Sequence, residues 1–306
     1  MDQLAQLRSV RLASSELDAS VRFATEILGL ELVRRDARRA YLRASAGHDH
    51  HVQYVRGELG DEALAFELAD PGALAATLGA LERTGHRIRE GTPAERDERL
   101  VAELFAVSDP TGNRIELVRG SAGAAACAYT RDAGITSFSH VGLRTTDAPR
   151  DEQFWTRALG ARVSDWIGEA ALLRIDDVHH RIALFPAQRP GIQHVNFQAA
   201  SIDDVMRSYY FLRDRGVRIV FGPGRHPTSG AVFLYFAGPD DLIYEYSTGV
   251  RSIAPGDEAT YQPRRFPLAP TSFCMWGALP DIPEFRPEFR PEFRPEFRPE
   301  FRPVQR

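Results

Sequence analysis

The sequence answers itself at an offset of about 130 residues, and self-similarity of that kind predicts copies of one folding unit rather than a single irregular domain. Phe23-Ala24-Thr25-Glu26-Ile27-Leu28-Gly29-Leu30 is matched by Phe154-Trp155-Thr156-Arg157-Ala158-Leu159-Gly160-Ala161. Gly85-His86-Arg87-Ile88 is matched by Gly216-Val217-Arg218-Ile219. Asp109-Pro110-Thr111-Gly112, followed by Glu116, is matched by Gly238-Pro239-Asp240-Asp241, followed by Glu245. Each copy is expected to run strand, helix, then three strands, with a second helix between the later strands. The fold class is therefore α+β, with two tandem modules.

Local signals set the boundaries. Ala148 to Leu159 is a compact amphipathic helix stopped by Gly160, a fitting C-cap. Asp203 to Arg215 starts acidic and ends basic, which complements a helix dipole. Arg181 to Phe185 and Val232 to Phe236 alternate as short strands. Gly222-Pro223-Gly224 is expected to break any continuous element. The division is residues 1–120, residues 134–250, an extension over 251–282, and a tail over 283–306. Ser121 to Ala126 is small-residue rich and suits a linker. The tail holds five copies of Pro-Glu-Phe-Arg, from Pro283 to Arg302. Proline at every fourth position forbids a continuous helix, so the tail is expected to be extended or disordered and dispensable. In the extension, Phe273, Met275 and Trp276 are expected to fold back over apolar surface.

Composition removes several functions. A net charge of −4 offers no general attraction to nucleic acid or anionic membrane. No apolar run approaches the ~20 residues of a membrane span. The first residues, Met1-Asp2-Gln3-Leu4, lack the basic and apolar regions of a secretory signal. Cys127 and Cys274, the only two cysteines, give no disulfide framework and no expected catalytic role. A cytoplasmic protein is expected.

The second copy carries a constellation that the first lacks. His140, His194 and Glu245 each open or close a strand-like segment: Ser139 to Leu143, Gln193 to Phe197, and Ile243 to Tyr246. A lone histidine on a strand is usually a satisfied core residue. Two of them with a carboxylate, on three strands of one repeat, make a set that can hold a metal on one face and leave the other face open. Two histidines and one carboxylate suit non-haem iron(II) and O₂ chemistry. At the equivalent positions the first copy has Ser9, Ala63 and Glu116, so the first module is expected to be metal-free.

These residues resemble the vicinal oxygen chelate superfamily, and within it the two-domain type I extradiol ring-cleaving catechol dioxygenases. The signature comprises Val178-His179-His180-Arg181-Ile182-Ala183-Leu184, Gly222-Pro223-Gly224-Arg225-His226, Phe233-Leu234-Tyr235 and Tyr244-Glu245-Tyr246. The resemblance covers about residues 5 to 250. It implies modules made of paired βαβββ units, each forming a curved mixed sheet around a pocket. It implies Fe(2+), with Mn(2+) as the other candidate, and it implies His180, Tyr235 and His226 as catalytic residues. Because neighbouring strand residues face opposite ways, His180 is expected to face the pocket and His179 the exterior or the module interface. His48, His50 and His51 in the first copy correspond to this strand start and are expected to be solvated.

The implied reaction is oxidative opening of a catechol beside its diol, with a small-molecule catechol and O₂ as reactants and a homo-oligomer as the assembly. Enzymes of the homoprotocatechuate type share Gly-Pro-Gly-Arg-His, but the resemblance expects an arginine just before it to hold the substrate carboxylate. Here that position is Phe221. With Trp166, Ile167, Phe185, Phe197 and Phe221 as apolar pocket candidates, and Ser229 as a polar one, a bicyclic or alkyl-substituted catechol such as 2,3-dihydroxybiphenyl or a dihydroxycumate is expected. The alternatives are a glyoxalase-like isomerase or thiol transferase, which draw ligands from both modules or need a second carboxylate, and a non-catalytic small-molecule binding protein.

Overall fold

The computed structural model of the chain describes residues 4–47, 49–57, 62–120 and 131–286. The first module contains two βαβββ units. One is β1 (Gln6–Ser14), α1 (Leu17–Arg22), β2 (Glu31–Arg35), β3 (Arg39–Arg43) and β4 (Val52–Arg56). The other is β5 (Ala63–Glu67), α2 (Pro71–Arg83), β6 (Arg89–Glu90), β7 (Glu103–Ser108) and β8 (Arg114–Arg119), with α3 (Pro93–Arg99) inserted after β6. The second module repeats the plan as β9 (Ile135–Thr145), α4 (Ala148–Arg157), β10 (Arg162–Ile167), β11 (Ala170–Arg174) and β12 (Ile182–Pro186). Its other unit is β13 (Gly191–Ala199), α5 (Ile202–Asp214), β14 (Ile219–Arg225), β15 (Val232–Ala237) and β16 (Ile243–Thr248).

Each module closes into one mixed sheet, ordered β2-β3-β4-β1-β5-β8-β7-β6 in the first and β14-β15-β16-β13-β9-β12-β11-β10 in the second. The units join through their first strands, which pair antiparallel: β1 with β5, and β9 with β13. Each first strand also takes the last strand of its own unit in parallel, as β9 takes β12 and β13 takes β16. The helices pack on the outer face and are capped locally. Asp147 accepts from Arg150 N at the start of α4, and Ser201 accepts from Asp204 N at the start of α5. Val205, Ser208 and Leu212 recur at three- and four-residue spacing on the buried side of α5.

One apolar core runs through both modules. Phe66 of the first meets Trp155 of the second with ring centroids 5.6 Å apart. Tyr54 and Tyr244 share a buried hydrogen bond of 2.6 Å across the same boundary. The duplicated Asp109-Pro110-Thr111-Gly112 turn also bridges them, because Asn113 Nδ2 donates to Arg144 O at 2.9 Å.

Several expectations are corrected. Gly222-Pro223-Gly224 does not end an element; it lies inside β14, where pairing with β15 is irregular between Phe221 and Gly224. The glycines serve there by having no side chain, since a Cβ on Gly224 would come within 2.7 Å of Cys274 Sγ. His50 and His51 are buried rather than solvated, with the His51 Nδ1 accepting from Ala44 N. The extension is an integral layer: its β17 (Arg264–Phe266) pairs with β10 and adds a ninth strand, followed by α6 (Pro270–Phe273). Phe273 folds in as expected, whereas Met275 and Trp276 stay exposed. The tail boundary also moves. Pro283–Phe285 forms a 3₁₀ turn, and Phe285 is only 1% exposed, so the first Pro-Glu-Phe-Arg copy belongs to the folded body. The remaining copies, His48, Cys127 and the expected linker over 121–126 lie outside the described residues. Among the described residues, no helix is long and apolar enough to cross a membrane.

Candidate metal centre and active site

Strand register puts the three expected ligands together. His194 stands opposite Gly142, and Asn196 stands opposite both His140 on β9 and Glu245 on β16. Residues in register share a sheet face, as do residues two apart on one strand. His140, His194 and Glu245 therefore emerge on the same concave face from three adjacent strands. Their side chains are buried, with His140 Nε2 2.9 Å from His194 Nε2 and 3.0 Å from Glu245 Oε2. His194 Nε2 lies 3.4 Å from the same oxygen.

This spacing fits a metal. Ligand atoms bonded at about 2.1 Å and at right angles to one another lie about 3 Å apart. Both carboxylate oxygens of Glu245 are buried without a hydrogen-bond donor satisfying them, a costly state for a charged group unless a cation completes it. Burial alone would raise the Glu245 pKa. The surrounding His140, His194 and His226 outweigh it and hold the carboxylate well below its usual range. Burial pushes His140 down to about 4, so it is a neutral imidazole with a lone pair to give. Gln193 Oε1 accepts from His194 Nδ1, which leaves the His194 Nε2 as the bare nitrogen. Two imidazoles and one carboxylate form the donor set that suits divalent iron.

Gly142 makes this packing feasible. A Cβ there would fall 2.6 Å from His194 Cε1 and closer still to its Nδ1, so the ring occupies the space a side chain would take. The first module keeps the register and the carboxylate but lacks both imidazoles and the open space beside them. Its register sets Ser9 and Glu116 against Ala65, matching His140 and Glu245 against Asn196, but Arg11 stands where Gly142 would be. Glu116 is instead held by Arg99, through bonds of 2.9 and 3.1 Å, and by Arg114.

The expected catalytic residues surround the triad. The His180 ring lies 4.2 Å from that of His140, and burial, with His140 and His179 beside it, lowers the His180 pKa well below that of a free imidazole. Tyr235 is opposite Glu245 in register and buried, and burial with that carboxylate raises its phenol well above the usual value. His226 Nε2 is 3.2 Å from Tyr235 Oη and 3.5 Å from Glu245 Oε1. Its Nδ1 donates to the Phe273 carbonyl at 2.7 Å, so the extension fixes which nitrogen faces the pocket.

The apolar candidates divide by strand parity. Ile167, Phe185 and Phe221 join Tyr235, Phe273 and Phe285 in one cluster on the concave face. The Phe185 ring is 6.0 Å from His194 and 4.8 Å from Phe285. Trp166 and Phe197 do not belong to this pocket. Trp166 faces α4, where its Nε1 donates to Glu152 at 2.7 Å, and Phe197 packs on Phe138 in the main core. The Ser229 hydroxyl is buried in the β14–β15 loop, against Ala231 N. His179 is fully buried rather than outward facing, with its Nε2 2.8 Å from Asp165 Oδ2. It sits in a bend just before β12, where strand alternation does not apply. Gly142, Asp165 and Phe285 were not singled out by the sequence; of these, only Gly142 carried a local signal, two residues beyond a candidate ligand. Beside the cluster opens a cavity of about 440 Å³, lined by residues that include Arg144, Ile167, Ala170, Phe273, Pro283 and Glu284.

Comparison with known proteins agrees with this geometry. Residues 137–246 match the Glyoxalase/Bleomycin resistance protein/Dioxygenase superfamily. The chain is 25% identical over 282 residues to a 1,2-dihydroxynaphthalene dioxygenase of Sphingobium xenophagum, covering 85% of this chain and 93% of that protein. It is 26% identical, with the same coverage, to a biphenyl-2,3-diol 1,2-dioxygenase of Sphingomonas paucimobilis. Among solved structures it is similar to the Mn(II)-bound glyoxalase from Novosphingobium aromaticivorans, at 27% identity and a TM-score of 0.81, covering 98% of this chain and 97% of that one. The second module thus matches this superfamily and carries, in His140, His194 and Glu245, a buried set of groups that could hold a metal. The chain as a whole is similar, over most of its length, to dioxygenases that act on dihydroxylated aromatic rings.

Proposed function

We propose that this protein opens a substituted catechol at the bond next to its diol, consuming one O₂ per ring and placing both oxygen atoms in the product, at an iron(II) held by His140, His194 and Glu245. The observation that carries this reading is the buried carboxylate of Glu245, without a donor of its own and faced by two imidazole nitrogens about 3 Å away. Bound there, the metal would make the diol acidic and give both reactants one seat. The remaining chemistry falls to the protein. His180, neutral in its buried position, takes a proton from the diol and later returns it. Tyr235 keeps its proton and donates a hydrogen bond to a substrate oxygen. His226 offers a second polar contact on that side. Phe185, Phe221 and Phe285 exclude water and stack on the ring.

The apolar cluster supports a bicyclic or alkyl-substituted catechol over a carboxylated one. The relatives' names, a dihydroxynaphthalene and a biphenyl diol, point the same way. We propose a homo-oligomer as well, supported by the exposed Met275, Trp276 and Leu279, and checked by light scattering.

The similarity to a glyoxalase raises a second reading, isomerisation of a thiol adduct. That reading needs a ligand from each module or a second free carboxylate, and Glu116 is already bound by Arg99. Iron-loaded protein is to be tested with 2,3-dihydroxybiphenyl, 1,2-dihydroxynaphthalene and 3,4-dihydroxyphenylacetate, following O₂ uptake and product absorbance, and with a methylglyoxal–glutathione adduct. Equimolar O₂ uptake with the first two supports the proposal. Turnover of the adduct with no O₂ uptake on any catechol overturns it.

A further inference from the structure

Behind His180 lies a buried hydrogen-bonded chain that the proposed chemistry has not yet used. His179 Nδ1 is 3.1 Å from His180 Nδ1, and the opposite nitrogen of His179 is 2.8 Å from Asp165 Oδ2. His179 and Asp165 are both fully buried. Asp165 in turn receives Arg264 through its backbone N at 2.8 Å and its guanidinium at 2.6 Å, and Arg251 at 3.4 Å.

We propose that Asp165 and His179 are positioning residues that hold His180 in one tautomer, with the proton on Nδ1 and a bare Nε2 toward the metal pocket. The assignment follows from donor counting. A carboxylate only accepts, so His179 Nε2 carries a proton. Two arginines already balance Asp165, so a neutral His179 suffices, and its Nδ1 is then an acceptor. Only a proton on His180 Nδ1 completes the 3.1 Å contact. The other nitrogen of His180, on the far side of its ring from His179, is left as a lone pair beside His140. That is the form able to take a proton from a bound diol, and it reproduces the way Gln193 orients His194 and Phe273 orients His226. The clamp on Asp165 comes from β17, so the C-terminal extension completes the chain.

The proposal builds on catechol cleavage for its kinetic consequence, but the tautomer is measurable without it. Two variants separate the contacts. His179→Asn keeps an acceptor oxygen where Nδ1 stands but gives up Asp165. His179→Gln reaches Asp165 but offers no acceptor at the Nδ1 position. With iron loaded and a catechol that the wild type cleaves, His179→Asn is expected to keep kcat within a few-fold. His179→Gln is expected to lose ten-fold or more in kcat, with KM and bound iron unchanged. Two-bond ¹H–¹⁵N spectra of the histidine-labelled full chain, recorded without metal, should show the His180 proton on Nδ1 in the wild type and in the Asn variant only. A His180 proton on Nε2 in the wild type, or equal kcat in the two variants, overturns the proposal. A wild type that cleaves no catechol would defeat the functional reading alone, because the spectra still decide the tautomer.

Discussion

Phe285 is the first copy's phenylalanine in a repeat that composition marks as dispensable, and Phe285→Ala tests whether it is. Its ring stacks on Phe273 at 4.8 Å and 17°, sits 4.8 Å from Phe185, and lies 5.9 Å from Tyr235 and 6.0 Å from Phe221. Removing a buried phenylalanine ring costs about 3 to 5 kcal/mol when the site cannot collapse. Of the ion pairs beside it, Arg286 with Asp281 is exposed and worth at most about 1 kcal/mol, and the mostly buried pair of Glu284 with Arg144 has its attraction offset by the cost of desolvating both groups. Ring burial therefore dominates what docks this segment. At about 2 °C per kcal/mol for a chain of this size, Tm should fall by about 6 to 10 °C if the whole fold feels the loss. A smaller fall with faster proteolysis near residue 283 would mean that only the segment detaches. Either way, water reaches the wall beside His194 and Tyr235, and KM for a bicyclic catechol should rise several-fold while bound metal stays constant. Chains stopped after Ile282 and after Arg286 give the companion comparison. The shorter should behave like Phe285→Ala, and the longer should keep every contact named above. Unchanged KM and Tm in Phe285→Ala would refute the reasoning.

Other outcomes follow from the same geometry. His140→Ala should abolish both bound metal and turnover, and full metal occupancy measured by mass spectrometry would remove His140 from the ligand set. His180→Asn or His180→Phe should retain metal and catechol binding but lose about 10²- to 10⁴-fold in kcat, the range of a general acid–base group; a loss within a few-fold would show that another group moves the proton. Without metal, acid should destabilise the fold. The His140 pKa is about 4 when folded against 6.5 when free, so the unfolded chain takes the proton first. That contribution is fully present above pH 6.5 and is lost as pH falls towards 4, so Tm of the metal-free protein should drop over this window, less steeply in His140→Ala. A drop of equal steepness in both proteins would exclude His140 as its source.

The parts of the site that were legible in the sequence are those that strand periodicity and duplication encode. His140, His194 and Glu245 are legible because each opens or closes a strand-like segment of one copy, and register aligns the three strands. Trp166 and Phe197 were misassigned for a reason of parity. Trp166 is one residue from Ile167, and Phe197 is three from His194; odd separations on a strand reverse the face. At His179 the reason is the opposite: it lies in a bend, where strand alternation does not hold and both it and His180 are buried. The roles of Asp165, Phe273 and Phe285 were illegible because each depends on contacts between segments far apart in sequence. Nothing local to Arg264 says that it will clamp Asp165, and nothing in a Pro-Glu-Phe-Arg repeat distinguishes its first copy from the next. What distinguishes that copy is its attachment to β17 and α6, which place it within reach of the pocket.

The first module shows how little separates a metal site from a scaffold. It keeps the sheet, the register and the carboxylate, yet four positions redirect them. Ser9 and Ala63 remove the imidazoles, Arg11 fills the place that Gly142 leaves open for one of them, and Arg99 takes the carboxylate of Glu116. Restoring the imidazoles alone should therefore fail. Ser9→His with Ala63→His puts a ring against Arg11 and leaves Glu116 bound by Arg99, so metal content should stay at one ion per chain and stability should fall. Adding Arg11→Gly opens the space, and adding Arg99→Ala removes the buried partner of Glu116 and leaves it only the partly exposed Arg114. In metal-free buffer that last change should be strongly destabilising, by about 3 to 5 kcal/mol, because it leaves a buried charge less compensated. Added iron(II) or manganese(II) should recover part of that loss and raise the stoichiometry towards two, since a ligand that binds only the folded state stabilises it. A second ion bound by the double variant would show that Arg11 and Arg99 are not what keeps the first module empty.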